Sequence, residues 1–187
     1  MSTVLESIDD ELARWLEAQP VFFVATAPLA ADGHVNCSPK GTRGTFRVLG
    51  PHEVAYLDLT GSGIETMAHV KENGRIVLMF CAFDGKPDII RLHGTARVVE
   101  TGDEAFDGLA QHFPDRPGAR SVVVVAVDRA SSSCGYAVPR MDYVEDRRAL
   151  DAFAVKRGPD GLVDYRADRN ATSIDGLPGV TTVEGTR

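Results

Sequence analysis

The residues best placed to do chemistry lie between Asp58 and Thr66, in the run Asp-Leu-Thr-Gly-Ser-Gly-Ile-Glu-Thr. Two hydroxyls, Thr60 and Ser62, alternate with Gly61 and Gly63, and Ser62 with Glu65 has the S-x-x-E spacing of a helix capping box. Free N–H groups, hydroxyls and the positive end of a helix dipole together suit a phosphate-sized anion. The same residues serve equally as an ordinary cap, so the run alone does not separate the two roles. Lys40, in Ser38-Pro39-Lys40-Gly41, and Arg43 offer the positive charge that a phosphate monoester calls for. Such a group carries roughly −1.5 to −2 charges near neutrality. As loop residues, both cations are otherwise simply solvated.

Other candidates are weaker. Arg91, His93 and Arg97 share one face of a strand, which either lines a pocket for an acidic ligand or meets solvent. Arg140 ends the polar stretch Ser131–Arg140, which reads as a loop able to cover a site, and is a candidate anion contact. Cys134 has no paired base in sequence and reads as a bystander thiol. The five histidines show no metal-ligand spacing, and His69 falls on a helix surface. No Gly-x-Ser-x-Gly, Walker loop or Gly-x-Gly-x-x-Gly is present, which leaves hydrolase, NTPase and dinucleotide-fold readings without support.

The elements that must position these residues are mostly short strands. Val21–Thr26 is an apolar run, His34–Ser38 a returning strand ended by Pro39, and Phe46–Leu49 a third. Val54–Leu59 feeds a helix over 63–72 that closes at Asn73-Gly74, and Arg75–Phe83 is the clearest core strand. Ile89–Val99 alternates well, with Gly94 marking a bulge or a close backbone approach. Ser121–Asp128 is the last strand. Helices are expected over 3–18 (a Thr3/Glu6 cap and an apolar stripe), from Thr101, over 143–157 and over 162–168. Six or seven close-spaced strands with helices as punctuation predict a mainly β (α+β) fold, a small barrel decorated by helices. The barrel domain would span residues 1–130, with a C-terminal loop, short helices and tail over 131–187 packed on it.

Composition narrows the classes further. Of 187 residues, 43% are hydrophobic and 25% charged, ordinary for a globular chain, and the net charge of −7 argues against a nucleic-acid partner. No run is long enough to cross a membrane, and the N-terminus shows no signal-peptide pattern. Three widely spaced cysteines suit a reducing compartment, so the cytoplasm is the expected location. Asn170-Ala171-Thr172 matches a glycosylation sequon, which carries little weight without a secretion signal.

The order of these pieces has a family resemblance. The strand at 21–27, Asn36-Cys37-Ser38-Pro39-Lys40-Gly41, the run Asp58–Thr66, Ile76–Phe83 and Arg91-Leu92-His93-Gly94-Thr95-Ala96 together resemble the pyridoxamine 5′-phosphate oxidase-like, FMN-binding split-barrel proteins. The likeness covers roughly residues 10–130, and Ser133–Tyr136 through Ser173–Pro178 resembles the tail of one uncharacterised branch. The resemblance implies a six-stranded antiparallel split barrel working as a homodimer, with two flavins at the subunit interface. Asn36, Ser38 and Lys40 would then lie along the flavin and its phosphate. Asp58, Leu59 and Thr60 would pass beside the ring, Ser62 and Thr66 would approach the phosphate, and Arg140 would arrive from the partner subunit. No metal is implied.

The chain also departs from that pattern. The oxidases follow their third strand with a Ser-Arg-Lys cluster, where this chain has Gly63-Ile64-Glu65-Thr66, and their C-terminal Arg-x-His is absent from residues 170–187. Vitamin B6 oxidation is therefore not expected, and FMN affinity is expected to be reduced. Related branches bind a deazaflavin coenzyme, haem or no cofactor. The first expectation is an FMN-dependent oxidoreductase acting on a small planar substrate. One alternative is a deazaflavin reductase with Lys40, Arg43 and Arg47 as its cationic groove. The other is a non-catalytic cofactor-binding or sensing dimer, which Glu65 favours.

Overall fold

The computed structural model describes residues 3–181. Eight strands and four helices follow one another as β1 (Thr3–Leu5), α1 (Asp10–Ala18), β2 (Val21–Thr26), β3 (Asn36–Gly41), β4 (Phe46–Gly50), β5 (Glu53–Leu59), α2 (Glu65–Asn73), β6 (Arg75–Cys81), β7 (Ile89–Glu100), α3 (Phe106–Ala110), β8 (Ala119–Ser133) and α4 (Ala149–Arg169). The strands form a single antiparallel sheet in the order β3-β2-β6-β7-β8-β5-β4, with β1 added on β8.

The sheet curls into a half-barrel. Phe22 on β2 lies near one end of the strand order and Phe46 on β4 at the other, yet their ring centroids are 5.4 Å apart. Tyr56 and Phe80 complete an aromatic cluster around Phe22, at 5.6 and 5.2 Å. Their alternation explains the curl. Val54 and Tyr56 on β5, Phe22 and Val24 on β2 and Leu78 and Phe80 on β6 all face one core. Each such side chain contributes roughly 1.5–3 kcal/mol by leaving water. A second, smaller core on the opposite face of β5 and β8 gathers Ala55, Leu57, Val122 and Val124 with Phe113. Among the described residues no helix is long and apolar enough to cross a membrane.

Several expectations need correction. The strand count is eight rather than six, and one added strand, β1, comes from residues assigned to the first helix. Asp9, not Thr3, caps that helix, accepting the Leu12 N–H at 2.8 Å. Thr3–Leu5 instead pairs with Ala130–Ser132 of β8, beyond the stretch of that strand that β5 covers, and so fills an edge. β3 runs through Pro39 to Gly41 because it is an edge strand, where a residue lacking an N–H breaks no inner ladder. β8 runs from Ala119 to Ser133, past Asp128, the expected end of the last strand. The break between the two C-terminal helices, by contrast, falls where it is expected: within α4, Gly158 leaves helical geometry (φ 68°, ψ 175°) just before Pro159.

Gly94 answers to both of its expected roles. The β7–β8 register shifts between His93 and Gly94, and a Cβ built on Gly94 would lie 2.0 Å from the Ala126 carbonyl oxygen. Only a glycine lets the two strands approach there.

Candidate functional site

The first correction at the site concerns its helix. α2 begins at Glu65 with Ile64 as its N-cap, and no side chain caps it, so the Ser62/Glu65 box does not form. Ser62 is exposed, and the Glu65 carboxylate turns back instead, with Oε2 accepting the Ile64 N–H at 3.0 Å. The helix closes at Gly74 (φ 73°), as the sequence indicates.

Period-2 geometry brings the candidates on β3 together. Asn36, Ser38 and Lys40 share its half-covered face, while Cys37, Pro39 and Gly41 point away. Ser38 Oγ donates to Asn36 Oδ1 (2.8 Å), and Asn36 Nδ2 donates to Thr66 Oγ1 on α2 (2.9 Å) and to Thr26 Oγ1 on β2 (3.2 Å). Thr26 Oγ1 also meets His69 Nδ1 at 3.0 Å. His69 is fully buried rather than on a helix surface, because α2 buries its whole stretch from Thr66 to Val70. Its Nε2 has no hydrogen-bond partner among the described residues.

Asp58 shares the inner face of β5 with Val54 and Tyr56, which places a carboxylate at the rim of the aromatic core. Two cations offset the cost of burying it. Lys40 Nζ lies 2.8 Å from Oδ1 and Arg120 Nε 2.6 Å from Oδ2. Burial pushes the carboxyl up, but the attraction and hydrogen bonds of Lys40 and Arg120 outweigh it and bring its pKa down to about 2. Burial also pushes the Tyr56 phenol well above its ordinary value, with the Asp58 charge adding to the effect.

Arg120 was not among the sequence candidates, and it is the centre of the network. It is 5% exposed. Besides Asp58, it donates to the Asn170 side-chain oxygen (2.9 Å) and to the Gly63 carbonyl (2.9 Å). The β5–β8 register passes from Asp58↔Ser121 to Leu59↔Ala119, so Arg120 is the extra residue of a bulge. Regular alternation would set it beside Val122 and Val124, on the other face; the bulge turns it onto Asp58. Asn170, at the end of α4, is fully buried and also donates to the Gly61 carbonyl at 3.0 Å, so the glycosylation sequon is inaccessible in the folded chain. Thr60 is buried as well, its hydroxyl accepting from Arg166 Nε (2.9 Å).

Ser38, Lys40, Leu59 and Thr66 thus converge on a cleft of about 140 Å³, joined by Arg120, Glu65 and the backbone of Gly61 and Gly63. Asn36 and Asp58 support it from behind through Thr66 and Lys40. Thr60 and Ser62 do not line it. Arg140 is not brought to it in this chain, being 86% exposed and paired with Asp84 at 3.1 Å. Arg43 stacks on the Tyr143 ring (3.9 Å) and Arg47 donates to its neighbour's carbonyl, so no groove with Lys40 is assembled. Of the row on β7, Arg91 donates to Ser133 Oγ (3.0 Å), His93 is half-buried and Arg97 is exposed. Cys37 and Cys134 are exposed free thiols, and among the described residues no acidic, His or Cys cluster could hold a metal.

Hydroxyls and cations around a small cleft suit the phosphate end of a flavin mononucleotide, and the apolar Leu59 suits its neighbouring carbon skeleton. The acid Glu65 is the element of the lining that does not.

Comparison with known proteins extends this picture. The family model described as pyridoxamine 5′-phosphate oxidase matches residues 8–134. A pyridoxamine 5′-phosphate oxidase family protein of Aspergillus flavus, ustO, is 39% identical over 198 residues, spanning 96% of this chain and 78% of its own. Among solved structures, a HupZ variant from Group A Streptococcus aligns with a TM-score of 0.51 at 26% identity, over 67% of this chain and 99% of that one. A Lactobacillus delbrueckii protein named as a candidate pyridoxamine 5′-phosphate oxidase gives 0.50 at 22% identity, over 68% and 97%, and shares the fold.

Proposed function

The chain belongs to the pyridoxamine 5′-phosphate oxidase family, and from that premise we propose that it is a flavin-binding protein, an FMN-dependent oxidoreductase acting on a small planar substrate. The observation that carries this reading is the convergence of Ser38 and Lys40 from β3, Thr66 from α2 and Arg120 from β8 on one cleft. Lys40 and the two hydroxyls would hold the phosphate, while the Asp58–Arg120 pair keeps the cleft wall in place. Bound flavin would supply the hydride or electron transfer itself. The chain's part is to orient it and to exclude water.

We place the working site between two copies of the chain, with the sheet closing as a split barrel against its partner. What supports this is the segment from Tyr136 to Leu150. There Tyr136 and Val144 are 84% and 87% exposed, and Met141 and Leu150 are also open to solvent. Several exposed apolar side chains gathered in one segment are of the kind a second copy can cover. Sedimentation would report a dimer. A second reading, cofactor binding without turnover, rests on Glu65 within the cleft.

The test is an absorbance spectrum of the protein purified without added cofactor, followed by titration with FMN. Flavin bands, and fluorescence that quenches on titration, are expected. Rapid bleaching by a reduced nicotinamide would favour the enzyme, and a stable yellow colour the binding protein. A colourless chain indifferent to FMN would overturn the flavin reading.

A further inference from the structure

Among the side chains lining the cleft, Glu65 alone is acidic. Its carboxylate turns back on its own backbone. Oε2 accepts the Ile64 N–H and lies 3.1 Å from where a Cβ on Gly63 would stand, so it is folded over the turn that leads into α2. One donor at the head of the helix, the N–H of its N-cap residue Ile64, is therefore taken by an anion belonging to the chain, which sits at the positive end of the helix dipole.

The formal charges around the cleft cancel. Lys40 and Arg120 bring two positive charges, and Asp58, bonded to both, brings one negative. Glu65 brings the second negative charge, and the balance is zero. Arg166 adds a cation further out, on the Thr60 hydroxyl, and does not line the cleft. A phosphate monoester, close to a dianion, thus meets a neutral cage with a carboxylate in it. Like charges in one partly covered cleft repel, and the repulsion falls on the ligand with the most negative charge.

We propose that Glu65 is the specificity-determining residue of this cleft. As an internal counter-anion beside Lys40 it weakens, without abolishing, the hold of the cleft on a phosphate monoester, and ligand ends carrying at most one negative charge, such as a polyol or a phosphodiester, are penalised less. The choice of flavins as probes rests on the function proposed above; the charge argument itself does not.

The experiment compares the full chain with Glu65→Gln, which keeps the size, the helix propensity and an acceptor for the Ile64 N–H. Dissociation constants are measured for FMN, for riboflavin, which lacks the phosphate, and for inorganic phosphate, by fluorescence quenching and calorimetry. Glu65→Gln is expected to bind FMN and inorganic phosphate about tenfold or more tighter, with riboflavin changed by less than about twofold. Glu65→Asp, which keeps the charge, controls for disturbance of the helix start and is expected to lack that gain. Tighter phosphate binding with no flavin bound by either protein would keep this inference and remove the flavin reading. Flavins bound by both proteins, with FMN and phosphate affinities unchanged or weakened in Glu65→Gln, would overturn this inference and leave the flavin reading standing. If none of the three probes binds either protein, both fall.

Discussion

Arg120 and Arg140 sit in opposite circumstances. Arg120 is 5% exposed and spends its donors on Asp58, Asn170 and the Gly61 and Gly63 carbonyls. Arg140 is 86% exposed and, among the described residues, pairs with Asp84, itself 81% exposed. The first ties β5, β8, the loop before α2 and the end of α4 into one block. The second ties two surface loops and constrains neither. A buried guanidinium with four partners sets the shape of a site, whereas an exposed one is available to something outside the chain.

Removing Arg120 is the strongest way to break this contrast. Arg120→Ala strands Asp58 in the interior with Lys40 alone, and is expected to cost about 3–5 kcal/mol of stability, read as a lower urea midpoint. A loss below about 1 kcal/mol would mean that Asp58 is far better solvated than its surroundings indicate.

Lys40 lies between the two extremes, since it is 22% exposed and pairs with Asp58 while lining the cleft. Lys40→Ala is expected to weaken FMN binding by about 1.5–3 kcal/mol, as measured by titration, if it makes a charge-assisted contact with phosphate. Unchanged affinity would assign Lys40 to the structural side of the comparison, with Arg120.

Acid tests the same block without a mutation. The Asp58 pKa is depressed in the folded chain, from an ordinary 3.8 to about 2. The stability it contributes is therefore complete above pH ~4 and is lost as pH falls toward the folded value. The expected loss is about 2 kcal/mol across that window, visible as a falling urea midpoint. Asp58→Asn should flatten that part of the profile, while Asp84→Asn, whose carboxyl the Gly85 N–H and Arg140 also hold below its ordinary value but in full solvent, should change it far less.

Where the sequence is periodic, it is informative about this molecule. The alternation of Asn36, Ser38 and Lys40, the core run of β6 and the role of Gly94 all follow from period two and from the missing Cβ of glycine. The site is less legible for a physical reason. Arg120 lies in Ala-Arg-Ser-Val-Val-Val-Val, where regular alternation turns it from Asp58, and only a bulge reverses that. No local pattern announces a bulge without a glycine at it. The Ser62/Glu65 box fails differently: its spacing is right, but the loop carbonyls are held by Arg120 and Asn170, and the helix starts after Ile64. His69 reads as a surface residue because the fragment Glu65–Asn73 is polar on average, and only the packing of α2, with Thr26 of β2 on the imidazole, shows it to be buried. In each case a contact distant in sequence overrides a correct local signal.

Arg140→Ala is the smallest effect expected and the most discriminating. An exposed ion pair is worth little, so stability should change by less than about 0.5 kcal/mol. Flavin affinity separates two possibilities for the segment that carries it. If the site is complete within one chain, Arg140→Ala should leave FMN affinity unchanged, because Arg140 does not line the cleft of its own chain. If the segment reaches across a dimer, the same substitution should weaken FMN without moving the urea midpoint, and the loss should appear at protein concentrations where the dimer persists. Dependence of affinity on protein concentration would then separate a contribution from the partner copy from a rearrangement within one chain, since only the former is diluted away.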